Sequence, residues 1–241
     1  MIRNYRRETE NRVAWIKQVL ADAGAAGIVF GSSGGKDAAL VGILCKMACD
    51  NTLGIIMPCE SARNFEEDKK DALLLAERFG IEHITADLTA AKREMAAALP
   101  FELNTQASIN INPRLRMTAL YAAAAVRGAL VAGTSNRSEA HMGYFTKWGD
   151  GAYDFNPIAD LTTSEIYEFL KHLGAPEVFW TKAPSAGLFP GQTDEDDMGV
   201  TYAEIDKYLL TGETGPKFHK IEAAHKATAH KRIPIKKYTE K

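Results

Sequence analysis

Gly27-Ile28-Val29-Phe30-Gly31-Ser32-Ser33-Gly34-Gly35-Lys36-Asp37-Ala38-Ala39-Leu40-Val41-Gly42-Ile43-Leu44 reads as an apolar strand, a tight glycine turn and an apolar helix in succession. That context turns a glycine pair into an anion site. The first turn of a helix has backbone N–H groups without intrahelical partners, and the helix dipole favours negative charge there. Gly34 and Gly35 carry no side chain to hold the backbone away from a phosphate. Ser33 adds a hydroxyl, and Asp37 is a candidate to hold Mg2+ against phosphate oxygens.

Two common phosphate loops fail on this stretch. A Walker A loop needs a glycine where Phe30 stands and Ser or Thr where Asp37 stands. The Rossmann pattern G-x-G-x-x-G is absent too. Ser33-Gly34-Gly35-Lys36-Asp37 resembles the S-G-G-x-D-S loop of the N-type ATP pyrophosphatases, with Ala38 in place of the final serine. Ser-Gly-Gly by itself is equally an ordinary turn, so the rest of the chain has to decide.

The chain has 241 residues, 46% hydrophobic and 25% charged, enough for one large core, and no linker, repeat or low-complexity segment divides it. A single domain over residues 1–241 is expected. A net charge of −2 argues against a general nucleic-acid binder. No apolar run approaches the roughly 20 residues of a membrane helix, and Met1 to Glu8 lack the apolar core of a signal peptide. Three cysteines, an odd number, suit a reducing cytoplasm. Cys45, Cys49 and Cys59 read as small buried thiols rather than zinc ligands, because no histidine lies near them in sequence.

Val13, Ile16 and Leu20 recur at helical spacing, and Gly24 closes that helix. Strands are expected at Ile28–Phe30, Leu53–Met57, Ile81–Ala86 and Ala129–Ala132. Asn64 with Glu67 predicts a helix cap ahead of Leu73, Leu74, Ala76 and Phe79, and Gly80 predicts its stop. Asn112-Pro113 predicts a helix start, proline being harmless at the first position. This alternation implies an α/β fold, a doubly wound parallel sheet flanked by helices. After about Asp160 the pattern becomes helical: Thr162 with Glu165 and Thr201 with Glu204 form capping-box signatures, and Leu161 with Ile166 a staple. Ligands of such sheets bind beyond the carboxyl ends of the strands. The loop from Gly31 and the loop Gly133-Thr134-Ser135-Asn136 therefore share one functional edge.

Gly133-Thr134-Ser135-Asn136-Arg137-Ser138-Glu139, followed by Gly143-Tyr144-Phe145-Thr146-Lys147-Trp148-Gly149-Asp150-Gly151 and Asp154-Phe155-Asn156-Pro157, resembles the G-T-x-x-x-x-E…G-x-x-T-K-x-G-D-G region of the NAD synthetase family. Asn110 to Met117, Lys182 to Leu188, Asp194-Glu195, Met198 to Tyr202 and His230-Lys231-Arg232 continue the match in family order. The resemblance implies an adenine nucleotide alpha hydrolase-like fold. It also implies a homodimer making NAD+ from deamido-NAD+, ATP and ammonia through an acyl adenylate. A glutamine-hydrolysing form needs an added amidase domain, for which this chain leaves no length, so the ammonia-dependent form is expected.

Carried over residue by residue, the resemblance makes Gly31, Ser32, Ser33, Gly34, Gly35, Lys36, Asp37 and Ala38 the ATP loop, joined by Thr134, Thr163 and Ser185. Asp37 and Glu139 become the Mg2+ ligands, carboxylate oxygens suiting a hard cation. Asn110, Arg114, Lys147, Asp154, His230 and Lys231 become contacts to deamido-NAD+, and Asp150, near its nicotinate end, joins Asp37 and Glu139 as the expected catalytic residues. His141 reads as structural, and the run Asp194 to Asp197 as a solvated acidic loop rather than a metal site. The basic tail through His225, Lys226, Lys236 and Lys237 reads as substrate-facing or solvated rather than RNA-binding.

Three positions depart from the family pattern. Ala38 lacks the final hydroxyl, Ser185 replaces threonine, and Thr163 stands where a phosphate-binding lysine is usual. Lys36 either supplies a compensating charge or points to solvent; its sequence position is compatible with both. Two other readings stay open at this point: another ATP pyrophosphatase, such as a tRNA-thiolating or GMP-forming ligase, and a non-catalytic nucleotide-binding paralogue.

Overall fold

A computed structural model describes residues 3–60, 66–182 and 193–238. Helix α1 (Tyr5–Ala23) leads into β1 (Gly27–Gly31), α2 (Lys36–Ala48), β2 (Thr52–Ile56), α3 (Glu67–Phe79) and β3 (Glu82–Thr85). Then come α4 (Thr89–Ala97), α5 (Thr105–Arg127), β4 (Ala129–Ala132) and α6 (Arg137–Met142). The remainder is helical, as expected: α7 (Thr163–His172), α8 (Val178–Thr181), α9 (Asp194–Met198), α10 (Tyr202–Thr211) and α11 (Phe218–Ala227). The four strands pair in the order β3-β2-β1-β4, and every pairing is parallel.

Strand order reverses direction at β1. The chain steps from β1 to β2 on one side and returns to place β4 on the other, with Val29 beside both Leu53 and Val131. The carboxyl ends of β1 and β4 therefore open a crevice at a switch point. One sheet face carries the main core, in which Phe30 packs with Ile16, Leu40, Ile43, Ile166 and Phe169. The other face is covered mainly by α5 through Val29, Leu53, Val131 and Ala124. The edge strand β3 is exposed along its whole length, so the cover fades toward that edge.

Phe30, which breaks the Walker pattern, is fully buried at the centre of the core. Its ring lies against the backbone of Gly42 on α2, where a Cβ would stand 3.0 Å from Phe30 Cε2. Close helix–strand approach here needs a residue without a side chain. Burying such a ring stabilises the fold by roughly 1.5–3 kcal/mol, and truncation to alanine costs about 3–5 kcal/mol.

Most local signals appear where the sequence places them. Gly24 and Gly80 end α1 and α3 in the left-handed conformation. Thr162 with Glu165 and Thr201 with Glu204 form complete capping boxes. Leu161 and Ile166, the expected staple, are both fully buried in the same core. Two expectations need correction. Pro113 does not start a helix: α5 begins at Thr105, capped by Asn104, whose Oδ1 accepts from the Ala107 N–H at 2.8 Å. The proline lies inside α5, leaving the Ile109 carbonyl without an intrahelical donor, and both residues line the cavity described below. On α3, Leu74 is 40% exposed while Ala72, Leu75 and Ala76 face the core. Asn64 lies outside the described residues.

Candidate active site

The crevice at the ends of β1 and β4 is a cavity of about 940 Å3. The predicted residues Gly31, Ser32, Ser33, Gly34, Gly35, Lys36, Asp37, Ala38, Thr134, Glu139, Asn110, Arg114, Lys147, Asp150, His230 and Lys231 all line it. Asp154 and Thr163 do not belong to this lining, and Ser185 lies outside the described residues.

The glycine loop leaves β1 with the Ser32 N–H donating to the Ile55 carbonyl at 2.9 Å. Gly35 is the N-cap of α2 and offers no side-chain acceptor to the first-turn N–H groups. Among the described residues these donors have no partner at the cavity wall, where helix geometry and dipole both favour an anion. Gly34 takes φ +76°, and its Cα faces the backbone of Asp68 on α3, so the loop is clamped between two elements.

Lys36 and Asp37, the first residues of α2, turn inward. Lys36 Nζ lies 2.6 Å from Asp37 Oδ2 and 3.6 Å from Glu139 Oε1, and its side chain is 6% exposed. The ammonium also sits over the Tyr202 ring at 5.2 Å from the centroid. The solvent-facing alternative for Lys36 is thereby corrected. Burial opposes its charge, but Asp37 and then Glu139 more than offset that and raise its pKa. Burial, and then Asp37, push the Glu139 pKa upward, with Lys36 pulling the other way. Two hard carboxylates from separate elements thus converge on one cation, a donor set that fits Mg2+.

Glu139 is placed by the capping box of α6. Asn136 Oδ1 accepts from the Glu139 N–H at 2.9 Å, and the Asn136 N–H donates to Glu139 Oε2 at 3.3 Å. The fully buried Asn136 also donates its amide to Asp37 Oδ1 at 3.0 Å, joining the two acids. Sequence reasoning quoted Asn136 but gave it no role. The Asn-x-x-Glu spacing that opens α6 was the available signal.

The opposite wall is basic. Lys147 Nζ donates to the His230 carbonyl at 2.8 Å, and Arg114 Nη2 to the Lys147 carbonyl at 3.4 Å. Lys231 Nζ donates to the carbonyls of Gly143 and Phe145 at 2.7 and 2.6 Å. Asn110 Oδ1 accepts from the Thr146 hydroxyl at 3.0 Å, which ties α5 to the loop between α6 and α7. That loop folds on itself: the Thr146 N–H donates to Asp150 Oδ1 at 2.9 Å, and its carbonyl accepts from Gly149 and Gly151. Trp148 takes φ +62°, a costly conformation for a bulky residue. Asp150 opens on the cavity, yet the surrounding protein raises its pKa, opposed by the Thr146 N–H.

Several predicted residues have other surroundings. Asp154 accepts from the Val131 N–H at 2.7 Å and from the Tyr121 hydroxyl at 3.1 Å, bracing β4 against α5. Thr163 is 1% exposed at the start of α7, and its Oγ1 has no hydrogen-bond partner among the described residues. His141 stacks on His225 with ring centroids 4.0 Å apart, and burial first, then His225, push its pKa down to about 4. The acidic run is not a solvated loop: it forms α9, Asp194 is buried, and Asp194 and Asp197 line the cavity. The Tyr202 hydroxyl donates to Asp194 Oδ2 at 3.0 Å and the Tyr144 hydroxyl to Asp197 Oδ2 at 2.8 Å, which holds these acids inward. In the basic tail, Arg232 bonds the Ala140 carbonyl and the Thr228 hydroxyl, clamping α6 to α11.

A helix start without a side-chain cap, a buried acid pair and a facing basic wall, all at one switch point, define the site of a parallel-sheet α/β protein. Comparison with known proteins narrows this. The sequence model of the NAD synthase family matches residues 8–241, and the chain belongs to that family. It is 48% identical over 215 residues to the NH(3)-dependent NAD(+) synthetase of Carboxydothermus hydrogenoformans, with 87% of each chain covered. Among solved structures, the NMN synthetase from Francisella tularensis superposes with a TM-score of 0.94 at 36% identity, covering 99% of this chain and 100% of the other. The NH3-dependent NAD synthetase from Campylobacter jejuni gives 0.82 at 28% identity, covering 98% and 100%.

Proposed function

We propose that this chain is an ammonia-dependent NAD+ synthetase, converting deamido-NAD+ to NAD+ while ATP is cleaved to AMP and pyrophosphate. The observation that carries this reading is the two-walled cavity. One wall offers the start of α2 to a polyphosphate, and the other offers Arg114, Lys147 and Lys231 to a second anionic substrate.

The residue types suit the chemistry. A nicotinate carboxylate resists ammonia because its leaving group is oxide. In the first step a carboxylate oxygen attacks the α-phosphorus of ATP, and the bond to the bridging oxygen of pyrophosphate breaks. In the second, ammonia attacks the acyl carbon, AMP leaves, and a proton is lost as the amide forms. The first step places growing negative charge on the departing pyrophosphate, where the first-turn N–H groups of α2 and the Lys36 ammonium stabilise it. Asp37 and Glu139 would hold Mg2+, which supplies further neutralisation of the phosphate oxygens. The basic wall orients the second substrate so that its carboxylate meets the α-phosphorus.

The test is product analysis with deamido-NAD+, ATP, Mg2+ and ammonium. Stoichiometric NAD+, AMP and pyrophosphate are expected; ADP and phosphate refute the reading. A second reading is favoured by the TM-score of 0.94 to a protein named an NMN synthetase. The same amidation would then act on nicotinate mononucleotide, and the ratio of kcat/KM for the two acids decides between them. We also place the working enzyme as a homodimer in a reducing cytoplasm. The three free cysteines are compatible with that compartment, and Val126 on α5, 89% exposed, is a candidate dimer contact. Sedimentation, with and without Val126→Asp, tests the dimer.

A further inference from the structure

The four oxygens of the acid pair are each engaged. Asn136 holds Asp37 Oδ1 through its amide and Glu139 Oε2 through its N–H. The remaining two, Asp37 Oδ2 and Glu139 Oε1, both face Lys36 Nζ, at 2.6 and 3.6 Å. Anything that bridges these carboxylates must therefore meet the ammonium first. Lys36 lies at the first position of α2 and lines the cavity beside the glycine loop. A short swing of its flexible stem carries the charge from the acids toward the place where a polyphosphate meets the helix start. The ring of Tyr202 beneath the ammonium, its hydroxyl bonded to Asp194, completes the seat.

We propose that Lys36 is a resident substitute for the divalent cation. In the nucleotide-free enzyme its ammonium occupies the position between Asp37 and Glu139. When nucleotide arrives, a phosphate takes over the ammonium and frees both carboxylates for the metal. Free metal is then excluded until nucleotide is present, and the lysine becomes a phosphate contact in the loaded site. This rests on the proposed ATP-dependent function, but the metal readout below does not depend on which acid is amidated.

The experiment measures Mn2+ binding by electron paramagnetic resonance to the whole chain, with and without a non-hydrolysable ATP analogue. The nucleotide-free wild type is expected to bind Mn2+ weakly, and Lys36→Gln to bind it about tenfold more tightly or better, since a unit positive charge beside the site has gone. Lys36→Gln with Glu139→Gln should lose that gain. Lys36→Gln should also bind the ATP analogue more weakly. Equal Mn2+ affinity in wild type and Lys36→Gln overturns the proposal. So does stoichiometric Mn2+ binding by the nucleotide-free wild type, a measurement that stands even where the variant fails to fold. If the Mn2+ pattern holds while no AMP or pyrophosphate forms, the functional reading alone fails.

Discussion

Gly34→Ala should be among the most damaging single-methyl additions in this chain. Gly34 combines φ +76° with a blocked Cβ direction: an added Cβ would lie 2.9 Å from the carbonyl carbon of Asp68 and 3.0 Å from its Cα, and nearer still to the carbonyl oxygen. The obstacle is backbone, not the end of a flexible side chain, so α3 must retreat from the glycine loop. The left-handed conformation alone costs an alanine about 1–2 kcal/mol, and overpacking adds about 1–3 kcal/mol. Gly80→Ala separates the two parts, because Gly80 has φ +63° with nothing within 4 Å of its Cβ direction. Urea unfolding at neutral pH measures both variants. Gly34→Ala should exceed Gly80→Ala by about 1–3 kcal/mol and should also weaken ATP binding, because Asp68 and Asp71 on α3 hold Lys182 at 2.9 and 2.6 Å on the cavity rim. Equal costs for the two variants, within about 0.5 kcal/mol, would refute the clash.

Glu139→Gln and Asp37→Asn should each lower turnover by about a hundredfold or more. Glu139→Gln should leave stability nearly unchanged, whereas Asp37→Asn removes the nearer partner of a buried ammonium and should cost more in urea unfolding; near-normal turnover in both refutes the assignment. Glutamine should not replace ammonium in the purified protein, and appreciable glutamine-driven amide formation would contradict this. His141 is neutral when folded, with its pKa lowered from 6.5 to about 4, so its contribution is present above 6.5 and lost as pH falls toward 4. Stability should therefore fall between pH 6.5 and 5, and His141→Gln should flatten the profile over this window; an unchanged profile refutes it.

The strand, glycine loop and helix were legible because each rests on signals a few residues long: an apolar run, two adjacent glycines, a first-turn acid. The capping boxes at Thr162 and Thr201 were legible for the same reason. Pro113 misled because a local rule about first-turn proline competed with a cap at Asn104 and with packing against the Gly149 loop. Asp194 was illegible, since adjacent acids normally face water. What turns it inward is the buried Tyr202, whose hydroxyl donates to Asp194 from the start of α10. The direction of Lys36 was likewise undecidable from sequence, because Asp37 is its neighbour but Glu139 comes from the far side of the sheet switch point.

That last arrangement explains how one cavity can serve two anions. ATP and an acidic second substrate repel each other, so their reacting atoms meet only if the protein supplies positive charge on both sides in advance. The positive charges on the far wall already have partners. Lys147 and Lys231 give their protons to backbone carbonyls of His230, Gly143 and Phe145, so each holds two chain segments together. An arriving carboxylate or phosphate is a stronger acceptor than a carbonyl and competes for the same protons. Substrate binding and the fastening of the Thr146 and His230 segments therefore draw on the same lysines. Removing Lys231 would loosen the Gly143–Phe145 segment as well as delete a charge, and its effect on binding should exceed that of an equally near cation with no backbone partner.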